Sequence, residues 1–157
     1  MQKFIPCLWF DNQAEEAVKF YTSLFKNSRI TRVTHYGENM PLPAGTVLTI
    51  NFELYGQEFI AMNGGPAFHF TEAISLFVNC ETQAEVDELW AKFTEGGEES
   101  MCGWLKDRYG LSWQIVPAGL EALLFSPDAE RSARAMQCML GMQKLDLAKI
   151  RQAYEAG

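Results

Sequence analysis

The chain has 157 residues, 48% of them hydrophobic and 21% charged, which is the composition of a folded globular protein with a sizeable core. Its formal net charge of −7 argues against a nucleic-acid partner, because binding to nucleic acid calls for a basic patch. The first apolar run, from Phe4 to Phe10, contains Pro6 and stops at Asp11, too short for a signal-peptide core or a membrane span. We therefore expect a cytoplasmic protein with no membrane partner.

The four cysteines form no Cys-x-x-Cys pair, and their apolar or strand-like surroundings predict reduced, mostly buried thiols. They are Cys7, Cys80, Cys102 and Cys138. Cys102 alone lies in a stretch rich in glycine and tryptophan, so it is the cysteine that we would test for reactivity.

The first half of the chain predicts one helix among four strands. A strand from Lys3 to Phe10 precedes a capping box made by Asn12 and Glu15, which predicts a helix start. The helix has an apolar stripe at helical spacing: Ala17, Phe20, Tyr21 and Leu24. Three further strands are predicted at residues 29–36, 46–55 and 58–62, with a proline-containing loop at 37–45.

The second half repeats this plan after the break at residues 63–66. A strand at 73–79 precedes a second capping box, Thr82 with Glu85, and Gly96-Gly97 ends the helix. The helical stripe recurs at a constant offset from the first: Val86, Leu89, Trp90 and Phe93. Each half therefore reads as strand–helix–strand–strand–strand, an internal repeat whose half-covered sheets must combine to bury their faces.

Residues 102–117 read as strand, tight turn, strand, with the turn at residues 108–110 and Gly110 available for a positive φ. On these strands, where side chains alternate between faces, lie Cys102, Trp104, Trp113 and Gln114. Two interpretations are open. Either both faces belong to the core, or one face lines a cavity while the other packs on a helix.

The region after Val116 is predicted to be helical. Leu120, Leu123 and Leu124 share a face, and Ser126-Pro127-Asp128 starts a helix with proline at its first position. The next stripes comprise Met136, Met139 and Leu140 before Gly141, then Leu147, Ile150 and Tyr154. These stripes need a surface to cover, which predicts packing on the sheet, at the cavity mouth or on a partner subunit.

The duplicated plan resembles the vicinal oxygen chelate superfamily of glyoxalase I, bleomycin-resistance proteins and extradiol dioxygenases. The chain is most similar to its PhnB-like group, labelled 3-demethylubiquinone-9 3-methyltransferase. The matching residues are Phe20-Tyr21, Ile74-Ser75-Leu76, Gly96-Gly97, Gly103-Trp104 and the run from Asp107 to Ile115.

This resemblance implies an α+β fold in which two βαβββ modules form one curved mixed sheet. We expect a glyoxalase-like domain over residues 1–126, with modules at 1–65 and 66–126. Residues 127–157 are expected to be a helical extension packed on the domain or on the partner of a homodimer.

Metal-dependent members of the superfamily bind an ion through residues on the first and last strand of each module. The matching positions here are Ile5 or Pro6, Ile60, Ala73 or Ile74, and Gln114. Three of the four positions are apolar, and a neutral amide replaces the usual acidic ligand, so we expect no metal and no cofactor. A different site from His69, Glu72 and Cys102 is the alternative, although their spacing matches no recognised metal motif.

We expect a cleft between the modules, lined by Trp104, Gln114, His69 and Cys102, in which Gln114 orients a ligand through its amide. His69 and Cys102 are the candidates for catalysis. His69 lies between Phe68 and Phe70, where a histidine is more often a hydrogen-bonded structural residue than a base.

Two functions remain open at this stage. One is a binding protein for a small apolar or aromatic molecule, and the other is a superfamily enzyme with lyase, isomerase or dioxygenase-like activity. The methyltransferase label has no support from the residues, since no glycine-rich turn joins a strand to a helix. The sequence identifies neither the ligand nor the pathway.

Overall fold

The computed structural model describes all 157 residues, Met1–Gly157. The chain divides into two compact units, residues 1–70 and 71–157. The elements of the first unit are β1 Cys7–Phe10, α1 Ala14–Leu24, β2 Arg29–His35, β3 Val47–Leu54 and β4 Gln57–Asn63. Those of the second are β5 Ser75–Cys80, α2 Gln83–Thr94, β6 Glu98–Glu99, β7 Trp104–Lys106, β8 Ser112–Pro117, α3 Leu120–Leu124, α4 Ala129–Leu140 and α5 Leu147–Glu155.

Both units have the same sheet topology, with strand orders β1-β4-β3-β2 and β5-β8-β7-β6. The first strand of each unit runs parallel to its fourth, and the other neighbours are antiparallel. The predicted α+β class with two βαβββ modules and a helical C-terminal region is confirmed. The strands form two four-stranded sheets, one in each unit, in place of the single curved sheet expected from the sequence. None of the helices has the length and apolar character needed to cross a bilayer.

Helix α1 starts differently from the prediction. The capping box of Asn12 and Glu15 is not formed, and the residue at the N-cap position, Gln13, makes no capping hydrogen bond through its side chain. The N–H of Ala14 instead donates to Oδ1 of Asn63, at the end of β4, over 2.9 Å. The buried Asn63 also donates to the carbonyl of Val47 over 3.1 Å. The sequence motif was overridden because a residue distant in sequence satisfies the helix terminus.

The buried stripe of α1 is also rotated relative to the prediction. Its buried residues are Ala14, Ala17, Val18 and Tyr21, while Phe20 and Leu24 are only half-buried. The small side chains of Ala14 and Ala17 occupy the core side of the helix, so the larger residues at 20 and 24 lie toward its margin.

Helix α2 agrees with the prediction. The hydroxyl of Thr82 accepts from the N–H of Glu85 over 3.2 Å, and the Glu85 carboxylate accepts from the N–H of Glu81 over 2.8 Å. The buried residues are the four predicted ones, Val86, Leu89, Trp90 and Phe93. Local sequence therefore determines both the start and the orientation of this helix.

The hairpin between β7 and β8 has a longer turn than the sequence suggested. Lys106 pairs with Ser112, so five residues connect the strands. In the first unit, by contrast, Leu54 pairs with Gln57, and only two residues connect β3 to β4. The extra length is stabilised by the buried carboxylate of Asp107, which accepts from two backbone N–H groups of the turn and from the indole N–H of Trp113.

The C-terminal helices pack within the second unit. Their core consists of Leu120, Ala135, Leu145 and Ile150. Of the predicted stripe, Ile150 is fully buried and Met139 packs against this cluster, whereas Leu140 is exposed. Helix α4 begins at Ala129 with Asp128 as its cap, so Pro127 precedes the cap instead of occupying the first helical position. Asp128 is the cap because its carboxylate accepts from the N–H of Arg131. Pro127 therefore lies one position before the cap, and Ala129 takes the first helical position.

Backbone hydrogen bonds attach this tail to the start of β7. The N–H groups of Cys102 and Gly103 each donate over 2.8 Å, to the carbonyls of Met142 and Gln143 respectively. The carbonyl of Gly103 accepts from the N–H of Ile115 on β8, also over 2.8 Å. The loop before Trp104 is therefore fixed between β8 and the tail.

Replacing Gly103 by alanine tests this attachment. A Cβ there would lie 2.8 Å from a Leu145 methyl group and 2.9 Å from the carbonyl oxygen of Ile115, at a φ of +83°. Gly119 is the matched control, since its φ is +89° but no atom lies within 4 Å of the added Cβ. We expect Gly119→Ala to lower the free energy of unfolding by about 1 kcal/mol through backbone strain alone. Gly103→Ala should cost about 1–3 kcal/mol more than that through steric overlap.

Urea denaturation of both variants measures this difference. Equal destabilisation by Gly103→Ala and Gly119→Ala would show that the tail moves aside without loss of stability. The tail would then not constrain the loop before Trp104.

Candidate ligand-binding face of the second unit

Strands β7 and β8 separate two surfaces by simple alternation. Leu105 and Trp113 pair across the strands and are almost completely buried. The Trp113 ring stacks on Phe93 of α2, with ring centroids 4.3 Å apart. Their neighbours along the strands must therefore point to the opposite side of the sheet. We call this side the open face, and its members are Ser75, Phe77, Trp104, Lys106, Ser112 and Gln114.

The open face is arranged in two rows that cross three strands. In one row Gln114 lies between Trp104 and Phe77, and in the next Ser112 lies between Lys106 and Ser75. Strand spacing separates neighbours in a row by about 4.8 Å. The amide nitrogen of Gln114 donates to the Ser75 hydroxyl over 2.9 Å, which links the two rows.

A cleft of about 110 Å³ opens beside the second row, and we call it the Ser112 cleft. It is lined by Glu72, Glu98, Glu99, Ser100, Trp104, Leu105, Lys106 and Ser112. The volume is below the roughly 300–1,000 Å³ of pockets that enclose a drug-sized ligand. It therefore suits a small molecule or one group of a larger one.

The Ser112 hydroxyl stands out among the lining groups. Ser112 is 1% exposed, and its Oγ has no hydrogen-bond partner. Ser112 Oγ is the only buried side-chain nitrogen or oxygen in the chain that is left without one. Leaving a buried hydroxyl unpaired costs roughly 1–3 kcal/mol, so this atom would gain from a hydrogen-bond partner placed in the cleft.

Charges at the cleft are partly paired. Lys106 forms an ion pair with Glu72. A hydrogen bond and then charge attraction from Lys106 lower the pKa of Glu72, and the same partner raises the pKa of Lys106. The Glu99 carboxylate accepts from the indole N–H of Trp90 over 2.7 Å.

The four predicted site residues fall in three places. Trp104 lines the cleft, and Gln114 pairs with it on the open face. The thiol of Cys102 donates to the carbonyl of Met139 in the tail over 3.7 Å. His69 is exposed and belongs to the first unit, in the segment after β4. The structure thus brings Trp104 and Gln114 together, and the roles of all four residues stay predictions.

All four cysteines are free thiols. Burial raises the pKa of Cys80 to about 12, so this thiol stays protonated near neutral pH. Cys80 is buried as predicted, Cys102 and Cys138 are half-buried, and Cys7 is exposed near the start of the chain.

Of the residues that line the cleft, sequence reasoning assigned only Trp104 to it, and it named Glu72 only as part of an alternative metal site. Alternation offered a signal for two others, since Lys106 lies two residues after Trp104 and Ser112 two residues before Gln114. The pairing of Glu72 with Lys106 was not predicted, because it depends on how the loop before β5 approaches β7.

The residues present do not fit the metal centre of the superfamily. At the matching positions Ile60 and Ile74 offer hydrocarbon side chains, and Gln114 offers a neutral amide where the superfamily commonly has a carboxylate. No three histidine, cysteine, aspartate or glutamate side chains come together in a way that would hold a metal ion. Residues 11–13 and 81–82, which lead into α1 and α2, contain no glycine.

The family is decided by two comparisons. The sequence model of the family described as 3-demethylubiquinone-9 3-methyltransferase matches residues 2–116. A solved PhnB protein from Bacillus cereus, described as a putative 3-demethylubiquinone-9 3-methyltransferase, is 42% identical, with a TM-score of 0.70. That match covers 74% of this chain and 100% of the Bacillus chain. The chain belongs to the PhnB-like family. The match to the family's sequence model ends one residue before the end of β8, so the helical tail lies outside the matched region.

More distant structures share the fold of this PhnB-like protein. A protein from Pseudomonas aeruginosa is 20% identical, with a TM-score of 0.61 and coverage of 74% of this chain and 98% of its own. The fosfomycin resistance protein FosX of Listeria monocytogenes, solved with Mn(II) and sulfate, is 14% identical, with a TM-score of 0.53 and coverage of 77% and 94%. The fold is therefore that of the vicinal oxygen chelate proteins. Among curated proteins, none matches the sequence.

Alanine substitutions of two buried serines in the second unit test whether the Ser112 hydroxyl contributes to stability. Ser112 Oγ has no partner, whereas Ser132 Oγ accepts from the N–H of Ser126 over 3.0 Å and lies 2.8 Å from its hydroxyl. Ser112→Ala should leave the free energy of unfolding unchanged or raise it by up to about 1 kcal/mol, because an unpaired polar atom is removed. Ser132→Ala should lower it by about 1–2 kcal/mol.

Thermal and urea unfolding of the two variants supply the measurement. A destabilisation by Ser112→Ala as large as that by Ser132→Ala would show that the Ser112 hydroxyl already has a stabilising partner.

Proposed function

We propose that this PhnB-like protein binds a small apolar or aromatic molecule on the open face of its second unit, without a metal ion. The observation that carries the proposal is the row of Trp104, Gln114 and Phe77 beside the unpaired hydroxyl of Ser112. Gln114 offers a donor and an acceptor between two aromatic surfaces, which is a common arrangement in sites for planar molecules.

Exposure of the aromatic side chains supports this assignment. Phe77 is 54% exposed although it lies in the middle of a sheet strand, and Trp104 is half-buried. Apolar surface left open on a sheet is expected to be covered in the functional state. A flat aromatic ligand covers it and gains about 0.5–1.5 kcal/mol from ring contacts beyond area burial.

The alternative is a superfamily enzyme with lyase, isomerase or dioxygenase-like activity. The Listeria FosX structure contains Mn(II), whereas the positions here that match the superfamily's metal ligands by resemblance carry isoleucine and the neutral amide of Gln114. We therefore prefer binding over metal-assisted catalysis. His69 and Cys102 stay the candidates for a catalytic role, and methyl transfer is the least supported activity. We also propose that the protein acts as a cytoplasmic homodimer.

Binding to the open face is tested with a neutral aromatic probe, 2-phenylethanol, followed by tryptophan fluorescence or calorimetry. Trp104→Ala should weaken its binding about tenfold, the equivalent of roughly 1.4 kcal/mol of lost ring contact. Tyr55→Ala is the control, since Tyr55 is an exposed aromatic residue in the turn of the first unit's hairpin. Equal affinity of the Trp104 variant and the unmodified protein would contradict the proposal.

The second prediction concerns metal and methyl donor. After dialysis without chelator, elemental analysis should give well under one divalent ion per chain, because a catalytic zinc site usually needs about three protein ligands. Calorimetry with S-adenosylmethionine should show no binding heat. A metal bound one-to-one with His69 as a ligand, or micromolar affinity for the methyl donor, would place the chain in the enzyme class.

A further inference from the structure

The Ser112 cleft has an acidic lining. Three glutamates, Glu72, Glu98 and Glu99, and one lysine line it, so the formal charge of the lining is −2 at neutral pH. The single cation, Lys106, is already paired with Glu72. An anionic ligand would have to break that pair and approach two remaining carboxylates, whereas a cationic one meets a favourable field.

The unpaired hydroxyl of Ser112 suits the same kind of ligand. It has two lone pairs, and its residue is 1% exposed, so water reaches it poorly. A ligand with N–H groups supplies the missing hydrogen bond directly. Glu98 pairs with Lys106 across β6 and β7, which brings a carboxylate to the strand next to that of Trp104 and Lys106.

Trp104 completes the set of groups. Its half-buried ring lines the cleft, and a tryptophan face is the best aromatic partner for an organic cation. Hydroxyl, carboxylate and indole therefore converge in a volume of about 110 Å³, which holds the head of a ligand and not its whole body.

We propose that the ligand of the open face carries an amine, and that its ammonium group enters the Ser112 cleft. The ammonium donates to Ser112 Oγ and to the Glu98 carboxylate and lies against the Trp104 ring. The apolar or aromatic body then extends over the row of Gln114 and Phe77. This inference rests on the proposed function, since it names the chemical class of the molecule that the open face binds.

Three probes of similar shape test the inference: 2-phenylethylamine as the cation, 2-phenylethanol as the neutral form and 3-phenylpropanoate as the anion. At low ionic strength the amine should bind about tenfold more tightly than the alcohol, and the carboxylate more weakly than either. The advantage of the amine should shrink severalfold at about 1 M salt, where charge attraction is screened within roughly 3 Å.

Variants locate the effect. Glu98→Gln and Ser112→Ala should each lower the amine-to-alcohol affinity ratio about threefold or more, because each removes one partner of the ammonium. Glu121→Gln is the matched control, an exposed glutamate of α3 that does not line the cleft, and the ratio should stay as in the unmodified protein.

Two negative results are distinct. Equal affinity for amine and alcohol, tighter binding of the carboxylate, or a ratio insensitive to both cleft variants would overturn the amine inference while binding to the open face stands. Failure of all three probes to bind would overturn the proposed function itself, and the amine inference with it.

Discussion

The buried carboxylate of Asp107 holds together the hairpin on which the candidate site depends. One oxygen accepts from the N–H groups of Tyr109 and Leu111, over 2.8 and 3.1 Å, and the other from the indole of Trp113 over 2.9 Å. The turn and the first core residue of β8 are thereby fixed to the same side chain. Because strand side chains alternate, anchoring Trp113 toward α2 places Ser112 and Gln114 on the open face. A slip of one residue would exchange the two sets and remove the site.

The two units share a topology and differ in how they use it. The first has a two-residue turn with positive φ at Tyr55 and Gly56, and the turn bears no buried carboxylate. Its Trp9 lies so close to Gly64 that any side chain there would collide with the ring, and its indole donates to the carbonyl of Gly65. The second unit instead leaves Trp104 and Phe77 partly open and a hydroxyl unpaired. The two units thus share one topology, and the candidate site lies on the second unit, whose β7–β8 hairpin has the longer turn.

Much of the fold followed from local sequence, and several departures arise from contacts between segments that are distant in sequence. Helix α2 formed as predicted because its cap and apolar stripe lie within the helix itself. Helix α1 did not, since Asn63 caps it from the end of β4 and displaces the Asn12 motif. Trp104 and Gln114 were predictable from alternation, together with the resemblance to PhnB-like proteins. The pairing of Glu72 with Lys106 and the attachment of Cys102 to the tail were not, because both arise from contacts between segments distant in sequence.

The central claim is that ligands bind at Trp104 on the open face, and indole N–H signals in nitrogen-15 NMR test it most directly. The chain has four tryptophans, and the indoles of Trp9, Trp90 and Trp113 each donate to an acceptor within the protein. Titration with 2-phenylethylamine should shift the Trp104 indole signal most, leaving those of Trp9 and Trp113 in place. Movement of the Trp9 signal with a stationary Trp104 signal would contradict this account.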